Sequence, residues 1–263
     1  MSTVLKDQAD FATSAGHWYC AKTGEARYTL IGANGKERAT TVRDARKLGL
    51  VPSVTTILKQ AAAPRLVKWM KEQVAKAAYS ERPREGESEA DYLARILPLA
   101  EEVARKARDK GTEIHGAIEN LDRHGPYADH VGAFFDAVNS WCGVTEWDHE
   151  RSFASPLGFG GKLDLSCPGF VLDAKTTDKD LADLKTWPDH RRQLAAYRHG
   201  LGMPEARCAI VYVSSVKPEA RLIELPEEEL QQGWNEFRSL LAFYYHANKM
   251  ELPCAPTSSD PHP

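Results

Sequence analysis

The chain predicts an α/β fold: a mixed central β-sheet flanked by helices, with an added N-terminal helical region. Three observations carry this expectation. Helical spacing dominates from Pro64 to about Trp141. After Gly143 the pattern changes to short runs typical of strands, interrupted by a helical segment that begins at Pro188. Pro226 then opens a last amphipathic helix that continues to about Ala247. Helices, then strands around one helix, then a closing helix, describe a single sheet covered on both faces.

The elements follow in order. Trp18-Tyr19-Cys20 and Tyr28-Thr29-Leu30-Ile31 read as short strands flanking a turn at Lys22-Thr23-Gly24, and Asn34-Gly35 marks a second turn. Ser53 is a fitting N-cap for Val54 to Leu58. Pro64 opens a helix to about Tyr79, on which Leu66, Val67, Met70 and Val74 recur at helical spacing. Glu89 to Leu121 is mostly helical, with breaks or kinks expected at Pro98 and Gly111. A further helix spans Val131 to Trp141, and strands are expected at Val144 to Phe153, Gly160 to Ser166 and Phe170 to Lys175. Pro188 starts a helix to about Leu201; Ala206 to Ser214 and Arg221 to Leu225 complete the strands. The expected division is an N-terminal β-hairpin segment (1–50), a helical region (51–143), a core (144–250) and a disordered tail rich in Pro, Ser and Asp (251–263).

Composition excludes several classes. A hydrophobic fraction of 42% with 27% charged residues is ordinary for a globular protein. No apolar run approaches the roughly 20 residues of a membrane span, and the first residues lack a signal-peptide apolar stretch, so a cytoplasmic protein is expected. The five cysteines form no CxxC pair, which argues against a disulfide framework or a structural zinc site. The net charge of −3 does not advertise a nucleic-acid binder, but Lys and Arg crowd the segment from Lys59 to Lys110. That segment, with Trp69, Tyr79 and Tyr92, suits a single-strand channel; helix-packing aromatics with a solvated charged face fit it equally.

The chemistry concentrates around one turn. Gly160-Gly161-Lys162-Leu163-Asp164-Leu165-Ser166 is followed by Cys167-Pro168-Gly169 and then Phe170-Val171-Leu172-Asp173-Ala174-Lys175. Two strand-like runs joined by Pro-Gly form a β-hairpin. It brings Asp164 and Asp173 side by side, where their charges repel unless a cation intervenes. Lys175, two residues past Asp173, points to the same strand face. Two acids and a lysine at one point describe magnesium-dependent phosphodiester cleavage.

Asp164 with Asp173-Ala174-Lys175 resembles the PD-(D/E)xK nuclease superfamily. Gln193-Leu194-Ala195-Ala196-Tyr197 looks like the QxxxY motif of its RecB-like branch, and Gly111-Thr112-Glu113-Ile114-His115 resembles that branch's helical histidine motif. Val51-Pro52-Ser53-Val54-Thr55-Thr56-Ile57-Leu58 is similar to a segment of phage-type and mitochondrial genome-maintenance exonucleases. The proline of the superfamily pattern is absent. The resemblance spans roughly residues 50 to 215. It implies a restriction-endonuclease-like core, and a DNA exonuclease that leaves 5′-phosphates and prefers free or single-stranded ends. Cysteines of cluster-bearing relatives have no counterpart, because Cys208 and Cys254 stand isolated; no iron–sulfur cluster is expected.

The resemblance also implies roles. Asp164, Asp173 and the Ala174 carbonyl would bind one or two Mg²⁺ or Mn²⁺ ions, hard cations that favour oxygen. His115 would be a further ligand, although an imidazole between Ile114 and Ile118 also suits a packed core. Glu150 is an outer ligand candidate or a solvated strand residue. Lys175 would orient the attacking water and neutralise phosphate charge. Gln193 and Tyr197 share a helix face and would bond a phosphate, a nucleotide end or Lys175. Lys162, Thr176, Arg191 and Arg192 are candidate nucleic-acid contacts, but such residues also serve as ordinary surface charges and hydroxyls. DNA is the expected partner, with a recombination or replication protein as a further one and no membrane. A structure-specific endonuclease, a recombination nuclease subunit, or a silent nucleic-acid-binding module are the alternatives.

Overall fold

The computed structural model describes residues 16–62 and 64–253. The start of the chain and most of the tail expected at 251–263 lie outside the described residues.

A five-stranded sheet forms the centre, in the order β5-β6-β7-β8-β9. Its strands are β5 (Asp148–Ser155), β6 (Phe159–Cys167), β7 (Phe170–Thr177), β8 (Arg207–Ser214) and β9 (Ala220–Glu224). All neighbours are antiparallel except β7 and β8. That parallel pair requires a crossover, supplied by helix α6 (Pro188–Gly200). Pro188 suits the first helical turn, where its missing N–H has no partner to lose. The predicted mixed sheet flanked by helices is therefore the observed architecture.

Two apolar layers cover the sheet. On one face Leu194, Tyr197, Trp234, Phe237 and Phe159 pack with Val171 and Ile210, bringing in α6 and α7 (Glu227–Ala247). On the other, Ile114, Ile118, Phe134 and Val138 pack on Leu172, Val211 and Val213, bringing in α4 (Glu89–Glu119) and α5 (Ala128–Cys142). Alternate residues of β7 thus serve opposite layers: Val171 one, Leu172 and Ala174 the other.

The N-terminal part departs from its expected pairing. β1 (Trp18–Cys20) does not zip to β2 (Thr29–Ile31); it pairs with β4 (Leu50–Pro52), while β2 pairs with β3 (Glu37–Ala39). A single bridge, Tyr19 to Ala26, is left of the expected hairpin. Burial explains the choice: Trp18 is wholly enclosed beside Leu50, Val54 and Ile57 in the same apolar layer as α6 and α7, whereas Ile31 is exposed. Between β3 and β4 lies a further helix that no sequence pattern marks, α1 (Val42–Leu48). A reciprocal Thr41–Asp44 cap opens it and left-handed Gly49 closes it.

Helix α2 (Val54–Leu58) is capped by Ser53 as expected: the Ser53 hydroxyl accepts from Thr56 N–H. Helix α3 (Pro64–Ser80) packs along α4. The breaks expected at Pro98 and Gly111 do not occur, since α4 runs unbroken through both. Pro98 sits where the helix is exposed, so water can serve the carbonyl its ring leaves unbonded. Gly111 lets α4 approach β7; a Cβ there would lie 2.6 Å from Thr176 Oγ1. Among the described residues no helix is long and apolar enough to cross a membrane.

Candidate active site

The β6–β7 hairpin places the acids. Its ladder pairs Cys167 with Phe170, Ser166 with Val171 and Leu165 with Leu172, around a turn in which Gly169 is left-handed. The next residues along this register, Asp164 and Asp173, do not continue it. Instead Asp164 turns its carboxylate into the gap, and Oδ2 accepts the Ala174 N–H at 2.6 Å. A strand residue directs its N–H and C=O to the same side, so the Ala174 carbonyl also faces the Asp164 strand.

The third strand extends the row. Arg151 pairs with Leu163 and His149 with Leu165, which sets Glu150 opposite Asp164. Glu150 has φ 51, a left-handed conformation that non-glycine residues avoid. At the same point β6 reverses its faces: Leu163 packs in one apolar layer and Leu165 in the other. A regular strand would put both on one side. Three acidic residues thus occupy neighbouring positions on adjacent strands where the sheet is locally irregular.

Asp173 and Lys175 share a face, as expected. Lys175 Nζ lies 2.5 Å from Asp173 Oδ2 as an ion pair. Helix α6 brings Gln193 and Tyr197 over the same face. Gln193 Nε2 donates to Asp173 Oδ1 at 2.8 Å and to the Tyr197 hydroxyl at 3.0 Å. Gln193 therefore fixes the Asp173 carboxylate, and does not touch Lys175 through any of these bonds. Burial raises the Tyr197 pKa, and the Asp173 charge adds to it, so the phenol stays protonated.

On α4, His115 turns away from its apolar neighbours Ile114 and Ile118. Its Nε2 lies 2.9 Å from Asp164 Oδ1. Burial disfavours the imidazolium, but the hydrogen bond and charge of Asp164 outweigh it and raise the pKa. For Asp164 burial is likewise outweighed, by His115, Lys175 and the Ala174 N–H, and its pKa is lowered. Asp173 behaves oppositely: burial pushes its carboxyl up, the Asp164 charge adds to this, and Lys175 offsets only part. Burial also disfavours the Lys175 ammonium, but Asp173 and Asp164 prevail and raise its pKa. One acid is held ionised and its neighbour is inclined to take a proton, as neighbouring carboxylates do.

The remaining predicted residues divide. Lys162 lines the cleft, yet its ammonium pairs with Glu150 and with Glu119, the latter at 3.2 Å. Arg191 and Arg192, expected against backbone phosphates, instead hold Glu236 of α7 at 2.6 Å each. Helix packing sets this pairing: at Gly233 the two helices approach so closely that a Cβ would lie 2.5 Å from the Arg191 carbonyl oxygen. Thr176 is also relocated. It belongs to the strand face of Ala174 and abuts Gly111 beneath α4. Trp69, Tyr79 and Tyr92 do not line the cleft; the Tyr92 hydroxyl donates to the Ala78 carbonyl and ties α4 to α3.

The cleft, about 370 Å³, is also walled by His17, Tyr19 and Tyr28, to which the sequence assigns no site role, with Ser53 to Thr55 of the Val51–Leu58 segment beside them. The isolated bridge from Ser53 to Gly160 fastens this wall to β6. No local sequence signal marks these aromatics, because their position depends on the β1–β4 pairing.

The donor set fits a hard divalent cation. Asp173 Oδ2 is buried against the Lys175 ammonium, Asp164 supplies a second carboxylate, and the Ala174 N–H bond to Asp164 brings that residue's carbonyl to the same side of the strand. Among the described residues, no three His, Cys, Asp or Glu side chains already converge as a coordination shell. Loading an ion would displace the contacts that His115 and Lys175 now make with the acids.

No family model matches the chain, and no curated protein matches it. Among solved structures it is similar to SSO0001, at 15% identity and a TM-score of 0.30, covering 66% of this chain and 86% of that one. It is also similar to a structure named "Putative exonuclease" from Eubacterium rectale, at 14% identity and a TM-score of 0.33, covering 71% of this chain and 66% of that one. Likeness at this level supports no argument about function, which rests on the residues of the site.

Proposed function

We propose that the chain is a divalent-metal-dependent nuclease that hydrolyses phosphodiester bonds in DNA, working from free or single-stranded ends and leaving 5′-phosphates. The observation that carries this reading is the cluster of two acids and a lysine on the β6–β7 hairpin, with Asp164 bonded to Ala174 and Lys175 set against Asp173. Asp164, Asp173 and the Ala174 carbonyl would hold Mg²⁺ or Mn²⁺, with His115 or Glu150 beside them. The ion would polarise the phosphoryl group and ease loss of a proton from water at neutral pH.

The chain's own residues do the rest. Lys175 offers a cation to a phosphate oxygen and a donor that orients the attacking water. Gln193 holds the rotamer of Asp173. His115 supplies a proton donor against Asp164 that withdraws when the acid takes another partner.

The test is digestion of end-labelled linear and circular single-stranded DNA with Mg²⁺, Mn²⁺ or chelator. Metal-dependent loss of the linear substrate, with the circle intact, is the expected result. Cutting of the circle would point to an endonuclease. Unchanged cleavage by Asp173→Ala would refute the assignment.

A further inference from the structure

The cleft holds an aromatic pair for which the acids and the lysine have no use. The rings of His17 and Tyr28 stack with centroids 4.4 Å apart and planes 26° from parallel. Both line the cleft that contains Asp164, Asp173 and Lys175. The Tyr28 ring is tethered at its hydroxyl, and the backbone that carries His17 is fixed. The Tyr28 hydroxyl is 2.7 Å from that of Tyr19, which is buried. His17 is held through its backbone: its N–H donates to Thr56 Oγ1 at 3.0 Å, and its carbonyl accepts from Ser53 N–H at 2.9 Å. Ser53 in turn bridges to Gly160 on β6, the strand that carries Asp164. The stack is therefore in fixed register with the carboxylates.

A pre-ordered stack suits a flat, uncharged group. Sequence-tolerant nucleic-acid sites use such faces to seat bases, while cations follow the backbone. Here the cations lie elsewhere in the cleft, at Lys175 and Lys162. Burial, with Lys59 nearby, lowers the His17 pKa and keeps its ring neutral, as stacking prefers.

We infer that the His17–Tyr28 stack is a nucleobase subsite, which seats an unpaired base next to the phosphate held at the acids. The inference rests on the nuclease reading and adds a specificity device to it: a base enters only after leaving its own duplex stack, so paired ends react more slowly than frayed ones.

The experiment compares single-stranded DNA oligonucleotides carrying a tetrahydrofuran abasic residue at successive positions from either end. Each is assayed for cleavage with Mn²⁺ and for binding by fluorescence anisotropy in chelator. With the wild-type chain, one position should show about a tenfold loss in kcat/KM and in affinity when its base is missing. Tyr28→Phe should keep that sensitivity, since it keeps the ring. Tyr28→Leu and His17→Ala should cleave slowly and respond less than twofold to the missing base. His17→Ala keeps the backbone bonds that hold the wall, so it decides the matter even if Tyr28→Leu does not fold. Equal handling of abasic and normal DNA by the wild type overturns the subsite and leaves the nuclease standing. Undiminished sensitivity in His17→Ala and Tyr28→Leu does the same. Failure of the wild type to cut or bind any oligonucleotide overturns the nuclease reading and the subsite with it.

Discussion

Asp164 Oδ2 accepts the Ala174 N–H at 2.6 Å, in the place where a neighbouring strand's carbonyl would otherwise sit. The acid is thus both a ligand candidate and a piece of the sheet, and two substitutions separate these roles. Asp164→Asn can still accept from Ala174, so stability should fall by less than about 1 kcal/mol while cleavage drops at least about a hundredfold. Asp164→Ala leaves the N–H unpaired and should cost about 1–3 kcal/mol as well. Urea unfolding and turnover, measured on both variants, check this.

Gln193 reaches the chemistry only through Asp173, by the 2.8 Å bond to Oδ1. Gln193→Leu should therefore weaken Mn²⁺ binding and cleavage by about 10- to 100-fold, the usual effect of removing a group that orients a ligand. Isothermal titration with Mn²⁺ reads the binding part separately from turnover. Wild-type affinity in the variant would show that Asp173 needs no brace.

Arg191 and Arg192 both grip Glu236. Glu236→Ala leaves the half-buried Arg191 guanidinium without its carboxylate, while Arg192 keeps Asp189 at 2.9 Å, and should lower stability by about 1–3 kcal/mol. DNA affinity should stay within about twofold for Glu236→Ala and for Arg192→Ala. A marked loss of affinity in Arg192→Ala alone would support the phosphate contact expected from the sequence.

His190 is neutral in the fold. Burial first, and the Lys175 charge second, bring its pKa from 6.5 down to about 4. Its Nδ1 accepts from the Trp187 N–H and lies 3.1 Å from the Tyr212 hydroxyl. The unfolded chain then binds a proton at a pH where the folded chain does not, so acid favours unfolding. The contribution of His190 is complete above about pH 6.5 and is lost as the pH falls toward about 4, by no more than about 3 kcal/mol. His190→Gln should flatten the stability profile in that window. An NMR titration placing His190 at 6 or above would count against this account.

Local signals made much of the fold legible. The β6–β7 hairpin was visible because alternation and a Pro-Gly turn are properties of adjacent residues, and α6 and α7 announce themselves by Pro188 and Pro226. What depends on distant partners was not legible. Helix α1 has seven residues and buries only Ala45, so it carries almost no periodic pattern. Gly111 looks like a helix break in sequence, but it is a contact with Thr176 in space. Arg191 and Arg192 read as phosphate ligands until Glu236, far along the chain, is placed beside them. The wall of His17 and Tyr28 could not be read at all, because β1 chooses β4 over its neighbour.

Asp164, Asp173 and Lys175 lie on one hairpin, whereas much of what encloses them arrives from afar: His17 and Tyr28 from one end, His115 from α4, Gln193 from α6. Contacts of short sequence separation form early in folding and remote ones late. A nascent chain halted before Pro188 would already display the acids and the lysine, but open to water and without Gln193 to set their angles. Competence would then be acquired abruptly, when the last third of the polypeptide emerges and closes over a centre made long before.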